Sequence, residues 1–288
     1  MTIFYLDTST INRIFDSPYT DSLSKVIQKN VIVYPSVLNI AELGAESDEV
    51  RRVGLLKLTK EISGNYRPLA MPSDLLKRSL ECLQVWAKDM DHSMDTKWDG
   101  IWVALNDPSR IDERAYQEII EWKAQQEKWF QDMHNRGRPA MQEAINRMSK
   151  NQKNSFTSSF SKMIKFYPPE GEFVKTTVSD LASRSGVDIE ISDEFVERVI
   201  NHSEHWRFFL TSMAYGLYSR SVKPTHFSKK RNPGSIDTQQ AVYLVACDIF
   251  VTDDIQQHRM LRLLMTFGHK KRKIYSYTEF EANLRFQT

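Results

Sequence analysis

Two apolar, β-rich runs lie almost 250 residues apart, "IFYL" at 3–6 and "IFVT" at 249–252, and each stops on carboxylates: Asp7 after the first, Asp253 and Asp254 after the second. Each run is short and continuously apolar, the pattern of a strand buried on both faces. "NVIVYP" and "RKIYSY" repeat the pattern, Pro35 closing the former, and "YRPLAM" reads as one more short strand. Helical spacing follows each of the four main runs, and strands that alternate with helices build a parallel sheet. The expected fold class is therefore α/β, a central parallel sheet flanked by helices and assembled from both ends of the chain.

The helices carry their own start signals. Thr8 or Ser9 is placed to cap the helix after the first strand, Ser36 the helix "VLNIAELG", and Ser73 the helix "DLLKRSLECLQVWAKDM". "TDSLSKVIQK" and "DEVRRVGLLKLTKEI" continue the helical pattern. Between the two β/α ends the character changes. All six tryptophans fall between residues 86 and 225, the β signal fades, and "DERAYQEIIEWKAQQEKWFQDM" sets Trp122, Trp129 and Phe130 near one helical face. A break is expected at Gly137–Pro139, and "SDEFVERVINHSEHWRFFLTSMAYGLYSRSV" reads as one or two further helices. Residues 73–228 are thus expected to form a large, mostly α-helical insertion.

With 288 residues the chain is long enough for one large or two ordinary domains. Its 41% hydrophobic and 26% charged residues are those of a globular protein, and no apolar run is long enough to cross a bilayer. The first residues enter a strand with no basic leader, which predicts a cytoplasmic protein away from any membrane. Cys82 and Cys247 offer no disulfide framework or metal spacing and read as buried small hydrophobes. Net charge is only +2, so total charge does not mark a nucleic-acid binder. Basic residues instead cluster, in "KPTHFSKKRNPGS" and "HKKRK"; the second run (Lys270, Lys271, Arg272) reads as a solvated turn. His202 and His205, three apart in "HSEH", lack a third partner for a metal.

In open α/β sheets functional groups gather beyond the carboxyl ends of the strands. Asp7 and Asp253–Asp254 fall there if their strands are neighbours. Glu42 lies within an otherwise apolar helix just after the second strand, and Asp237 opens "DTQQAVYLVAC". Singly, each has an ordinary reading: a helix cap for Asp7 and Asp237, a solvent-facing position for Glu42, a turn for Asp253–Asp254. Jointly, converging carboxylates repel unless a cation sits between them, and hard oxygen donors select Mg²⁺ or Mn²⁺ over zinc.

The segments "FYLDTSTI", "SVLNIAELGAES", "GSIDTQQAVYLV" and "IFVTDD" resemble, in order, the four signature segments of PIN domains, metal-dependent nucleases with a central parallel sheet. The matching acids are Asp7, Glu42, Asp237 and Asp254, with Asp253 as the variable neighbour that can take the fourth place. The resemblance implies a discontinuous PIN-like nuclease domain of residues 1–72 and 229–288. It implies that the four acids hold one or two Mg²⁺ or Mn²⁺ ions and that the reaction is hydrolysis of phosphodiester bonds in RNA. Thr8 would position a ligand, and Lys229, Lys230 and Arg231, which run into Asp237, would grip the RNA backbone. A toxin of a toxin–antitoxin or defence system, with an antitoxin or other protein partner or a second copy of itself, lies within the same implication. The alternative is a catalytically silent PIN-like scaffold or RNA-binding module that uses the insertion to hold a partner. A phosphatase of another doubly wound class fits less well, since "DTS" offers one acid where an Asp-X-Asp pair is needed. The insertion has no counterpart in compact PIN domains, and its tryptophans either build a core or stack unpaired bases.

Overall fold

The computed structural model describes residues 2–87, 89–146, 149–151, 172–184, 186–222, 234–266, 268 and 270–285. The first β/α end runs β1 (Ile3–Leu6), α1 (Thr8–Phe15), α2 (Thr20–Asn30), β2 (Ile32–Val33), α3 (Val37–Gly44) and α4 (Glu49–Ser63). Then come α5 (Pro72–Gln84), α6 (Asp99–Asn106), α7 (Glu113–Asn146), α8 (Glu172–Arg184), α9 (Asp193–His202) and α10 (Glu204–Val222). The second end is α11 (Ser235–Gln240), running into a 3₁₀ turn at Ala241–Val245, then β3 (Ile249–Thr252), α12 (Ile255–Leu264), β4 (Lys273–Ser276) and α13 (Tyr277–Arg285). Among the described residues no helix is long and apolar enough to cross a membrane.

The four strands form one parallel sheet in the order β2-β1-β3-β4. The two chain ends therefore meet at its centre, with Leu6 opposite Val251. Because side chains alternate along a strand, β1 and β3 feed two separate cores. Tyr5 and Phe250 enter the core shared with the insertion, while Phe4, Leu6, Ile249 and Val251 enter the core under α1, α2 and α4. Tyr5 stacks on Tyr243 and packs against Phe250, each at 4.8 Å between ring centres. Trp206 and Phe130, both fully buried and both from residues 73–228, belong to the first of these cores. The insertion thus packs directly on the sheet. The short "YRPLAM" run forms no strand but bridges through Leu69, parallel to Ser36 beyond β2 and antiparallel to Ser93.

Several local expectations change. The cap of α1 is Asp7 itself, which leaves Thr8 and Ser9 inside the helix. At α5 the chain places Pro72 in the first turn after Met71, with no side-chain cap, because proline is preorganised for that position; Ser73 is inside. The expected break at Gly137–Pro139 is absent, and α7 runs its 34 residues through Pro139. A mid-helix proline costs about 3 kcal/mol. Burial of Phe130, Met133 and Met141 along the same helix offsets that cost, and Gly137 lets α7 approach α10 so closely that a Cβ there would lie 3.0 Å from Leu217. His202 and His205 fall on different helices, separated by Ser203. His205 Nε2 instead meets His92 Nε2 at 3.1 Å. Cys247 is buried as expected, whereas Cys82 is only half-buried. Arg272 is not part of a solvated turn: its side chain is 6% exposed and pairs with Glu204 at 3.0 Å.

Candidate functional site at the carboxyl edge of the sheet

Where β1 ends, the Asp7 N–H still bonds the Val251 carbonyl of β3 at 3.0 Å, so the carboxyl ends of both central strands lie side by side. Asp7 is 2% exposed. Its Oδ1 accepts the Thr10 N–H at 2.8 Å, Ser9 Oγ lies within 2.9 Å of both its oxygens, and Thr252 Oγ1 lies 2.7 Å from Oδ2. Thr252, at the end of β3, also lies 2.7 Å from Gln257 Oε1 and accepts the Asp254 N–H at 3.0 Å. Its single hydroxyl proton serves one of its two acceptors at a time. Ser9 completes the seam by accepting the N–H groups of Asp253 and Asp254, at 2.9 and 3.2 Å. Replacing Thr252 with valine keeps the shape and strands these partners, so Thr252→Val is expected to lower stability by about 1–3 kcal/mol, read as a drop in urea midpoint at unchanged slope.

Glu42 sits in the last turns of α3, a helix started by Ser36, whose Oγ accepts the Asn39 N–H at 3.0 Å. Glu42 Oε2 accepts the Thr8 hydroxyl at 2.5 Å, and Asn39 Nδ2 donates to that same hydroxyl at 3.3 Å. Tyr5, Ser36, Asn39, Thr8 and Glu42 therefore form one hydrogen-bonded file from β1 through α3 into α1. In this arrangement the Thr8 hydroxyl orients Glu42. Asp237 lies in the first turn of α11, with Oδ2 accepting the Gly234 N–H at 2.7 Å. Asp254 caps α12 through Oδ1, which accepts the N–H groups of Gln256 and Gln257 at 2.6 and 2.8 Å. Asp253 is exposed at the bend before it. Lys229, Lys230 and Arg231 lie outside the described residues.

Electrostatically the acids form one group. Burial raises the Asp7 carboxyl above its ordinary range, against hydrogen bonds from Thr252, Thr10 and Ser9. Burial also raises Glu42; the Thr8 hydrogen bond and Lys123 oppose the shift, while Asp7 and Glu127 add to it. Asp237 is pushed up to about 7, first by burial and then by Glu42, Asp254 and Asp7, with the Gly234 N–H opposing. Among the described residues no Lys or Arg pairs with Asp7, Glu42, Asp237 or Asp254. Glu42 Oε1, Asp237 Oδ1 and Asp254 Oδ2 accept no hydrogen bond there either.

Several residues of this corner escaped the sequence reading, Asn39 and Gln257 among them. Lys123 and Glu127, one turn apart on α7, both act on Glu42, and Glu127 Oε1 accepts the Ser235 hydroxyl at 2.8 Å beside Asp237. Their only sequence signal is an i, i+4 Lys–Glu pair on a helix rich in such charges. The all-oxygen donor set and its free oxygens fit a hard divalent cation. The spacing is looser than coordination requires: among the described residues no three His, Cys, Asp or Glu side chains are gathered tightly enough to hold a metal ion. No protein-family model, curated protein or solved structure matches the chain significantly.

Proposed function

We propose that this protein is a divalent-metal-dependent endoribonuclease of the PIN-like kind. The observation that carries the reading is the meeting of four carboxylates from the two chain ends, Asp7 buried, Glu42 and Asp237 half-buried and Asp254 exposed, with Lys123 acting on Glu42. Asp237 sits with Glu42, Asp254 and Asp7 in a corner that raises its carboxyl to about 7, and among the described residues no Lys or Arg forms an ion pair with any of the four. Carboxylates held so are a standing cost unless a positive ligand joins them. Glu42, Asp237 and Asp254 would hold Mg²⁺ or Mn²⁺ through their free oxygens, with Asp7 fixed behind them by Ser9, Thr10 and Thr252. When bound, such a cation supplies Lewis-acid activation of water and neutralises charge at phosphorus. The residues of the chain do the rest: Thr8 and Asn39 orient Glu42, and Gly234 N–H fixes one oxygen of Asp237 so that the other is presented. Lys229, Lys230 and Arg231 are proposed to take the RNA backbone. A role as a toxin or defence nuclease restrained by a partner protein is part of the same proposal.

One observation favours the silent-scaffold reading, namely the loose spacing of the acids. Cleavage of single-stranded RNA with Mg²⁺ or Mn²⁺, with and without EDTA, separates the two. The nuclease reading expects cleavage that EDTA abolishes. No cleavage with either metal leaves the scaffold.

A further inference from the structure

A cavity of about 450 Å³ opens between α5, α7, α8 and α11. It falls within the range of about 300–1,000 Å³ typical of small-ligand pockets. Trp98, Trp122 and Trp129 wall it, and Lys77, Lys97 and Arg184 edge it against one lining acid, Asp74. Asp74 is already engaged, accepting Lys97 Nζ at 2.6 Å and Trp98 Nε1 at 2.7 Å. The other two cations hold partners in solvent reach, Lys77 with exposed Glu81 at 3.8 Å and Arg184 with half-buried Asp180 at 3.1 Å. Such pairs are worth about 0–1 kcal/mol and exchange readily for a stronger anion. The indole N–H of Trp129 is buried without a partner among the described residues.

The cavity is joined to the acid corner by shared walls. On α7, Trp122, Gln126 and Trp129 line the cavity, while Lys123 and Glu127, on the adjoining face, act on Glu42. On α11, Asp237 belongs to the acids and Gln239 to the cavity, and Gln239 Nε2 donates to Gln126 Oε1 at 3.3 Å.

We infer that this cavity is a nucleotide subsite, in which tryptophan faces stack an unpaired base, the glutamine amides meet its edge and the rim cations hold its phosphate. Flat indole walls suit any base, because every base presents a π-face. Lys77 and Arg184, held by weak ion pairs, favour an anion over a cationic ligand, and the glutamine amides offer both a donor and an acceptor. The inference rests on the RNA reading, to which it adds a place for a base beside the cleaved strand.

The test uses the full chain carrying Asp7→Asn, in EDTA, so that binding is read without cleavage. Its probes are a labelled single-stranded ten-nucleotide RNA, the same strand made abasic, and AMP. Trp122→Ala and Lys77→Glu are each expected to weaken RNA binding at least about fivefold, the loss of one base stack or one phosphate contact, with unchanged melting curves as the fold control. Intrinsic tryptophan fluorescence of the parent is expected to quench on binding, which keeps the test valid should Trp122→Ala fail to fold. Competition by AMP identifies a free nucleotide as sufficient; binding of the strand without AMP competition identifies a base within RNA. Equal binding of the abasic strand, or unchanged affinity in both folded variants, overturns the subsite. Binding that survives in a protein that never cleaves RNA overturns the nuclease reading and leaves the subsite standing.

Discussion

Asp7→Asn is expected to reduce metal-dependent RNA cleavage by about 10–100-fold while leaving the fold intact. Changes to groups that support a metal ligand typically cost about 10–100-fold, and Asp7 is tied to the Asp254 N–H through Ser9 and Thr252. The fold is protected for a local reason. Asp7 caps α1 by accepting the Thr10 N–H, and asparagine caps about as well as aspartate. The substitution also removes a buried charge that the protein holds at a cost, since burial raises this carboxyl. The variant should therefore be as stable as the parent, or more so, at neutral pH. That combination separates a functional role from a structural one, because a structural acid lost from a buried seam would lower stability together with activity. Parent-like cleavage by the variant would remove Asp7 from the site.

The second large effect concerns pH. The Asp237 carboxyl ordinarily titrates at 3.8, and in the folded, metal-free chain it is pushed up to about 7. Between those values the folded form keeps a proton that the unfolded form gives up. Stability from this group is thus fully present below about pH 4, falls as pH rises, and is gone above about pH 7. At about 1.4 kcal/mol per unit the ceiling is about 4 kcal/mol, and local relaxation brings the expected loss to about 2 kcal/mol. Asp7 and Glu42 shift in the same direction and add to it. Asp237→Asn keeps an acceptor for the Gly234 N–H and removes the charge. In EDTA it should be more stable than the parent at pH 8 and equal to it at pH 4, and Mn²⁺ should stabilise the parent most at pH 8. Urea unfolding at the two pH values decides this. A parent whose metal-free stability rises from pH 5 to pH 8 relative to the variant contradicts the account.

The central strands were legible because parallel, doubly covered strands show as short continuous apolar runs, and "IFYL" and "IFVT" are such runs. Their adjacency in the sheet makes neighbours of Asp7 and Asp254, acids nearly 250 residues apart. Ser36 announced its helix by type and place. What stayed hidden depends on tertiary packing. Lys123 and Glu127 look like any solvated pair until α7 is laid across the corner. Pro139 reads as a breaker until the packing around Gly137 and Met141 is known. Arg272 sits in a basic run whose exposure depends on Glu204, nearly 70 residues earlier. By type and place Ser9 reads as a cap, and its use as a bridge between both chain ends follows only once β1 and β3 are paired.

Equilibrium binding of Mn²⁺, followed by its electron paramagnetic resonance signal, tests most directly whether acids from the two ends of the chain form one cation site. The parent chain is expected to bind Mn²⁺ saturably, with affinity weakened at least about tenfold by Glu42→Gln and by Asp237→Asn, each from a different end. No saturable binding, or the same affinity in the parent and both variants, would contradict it.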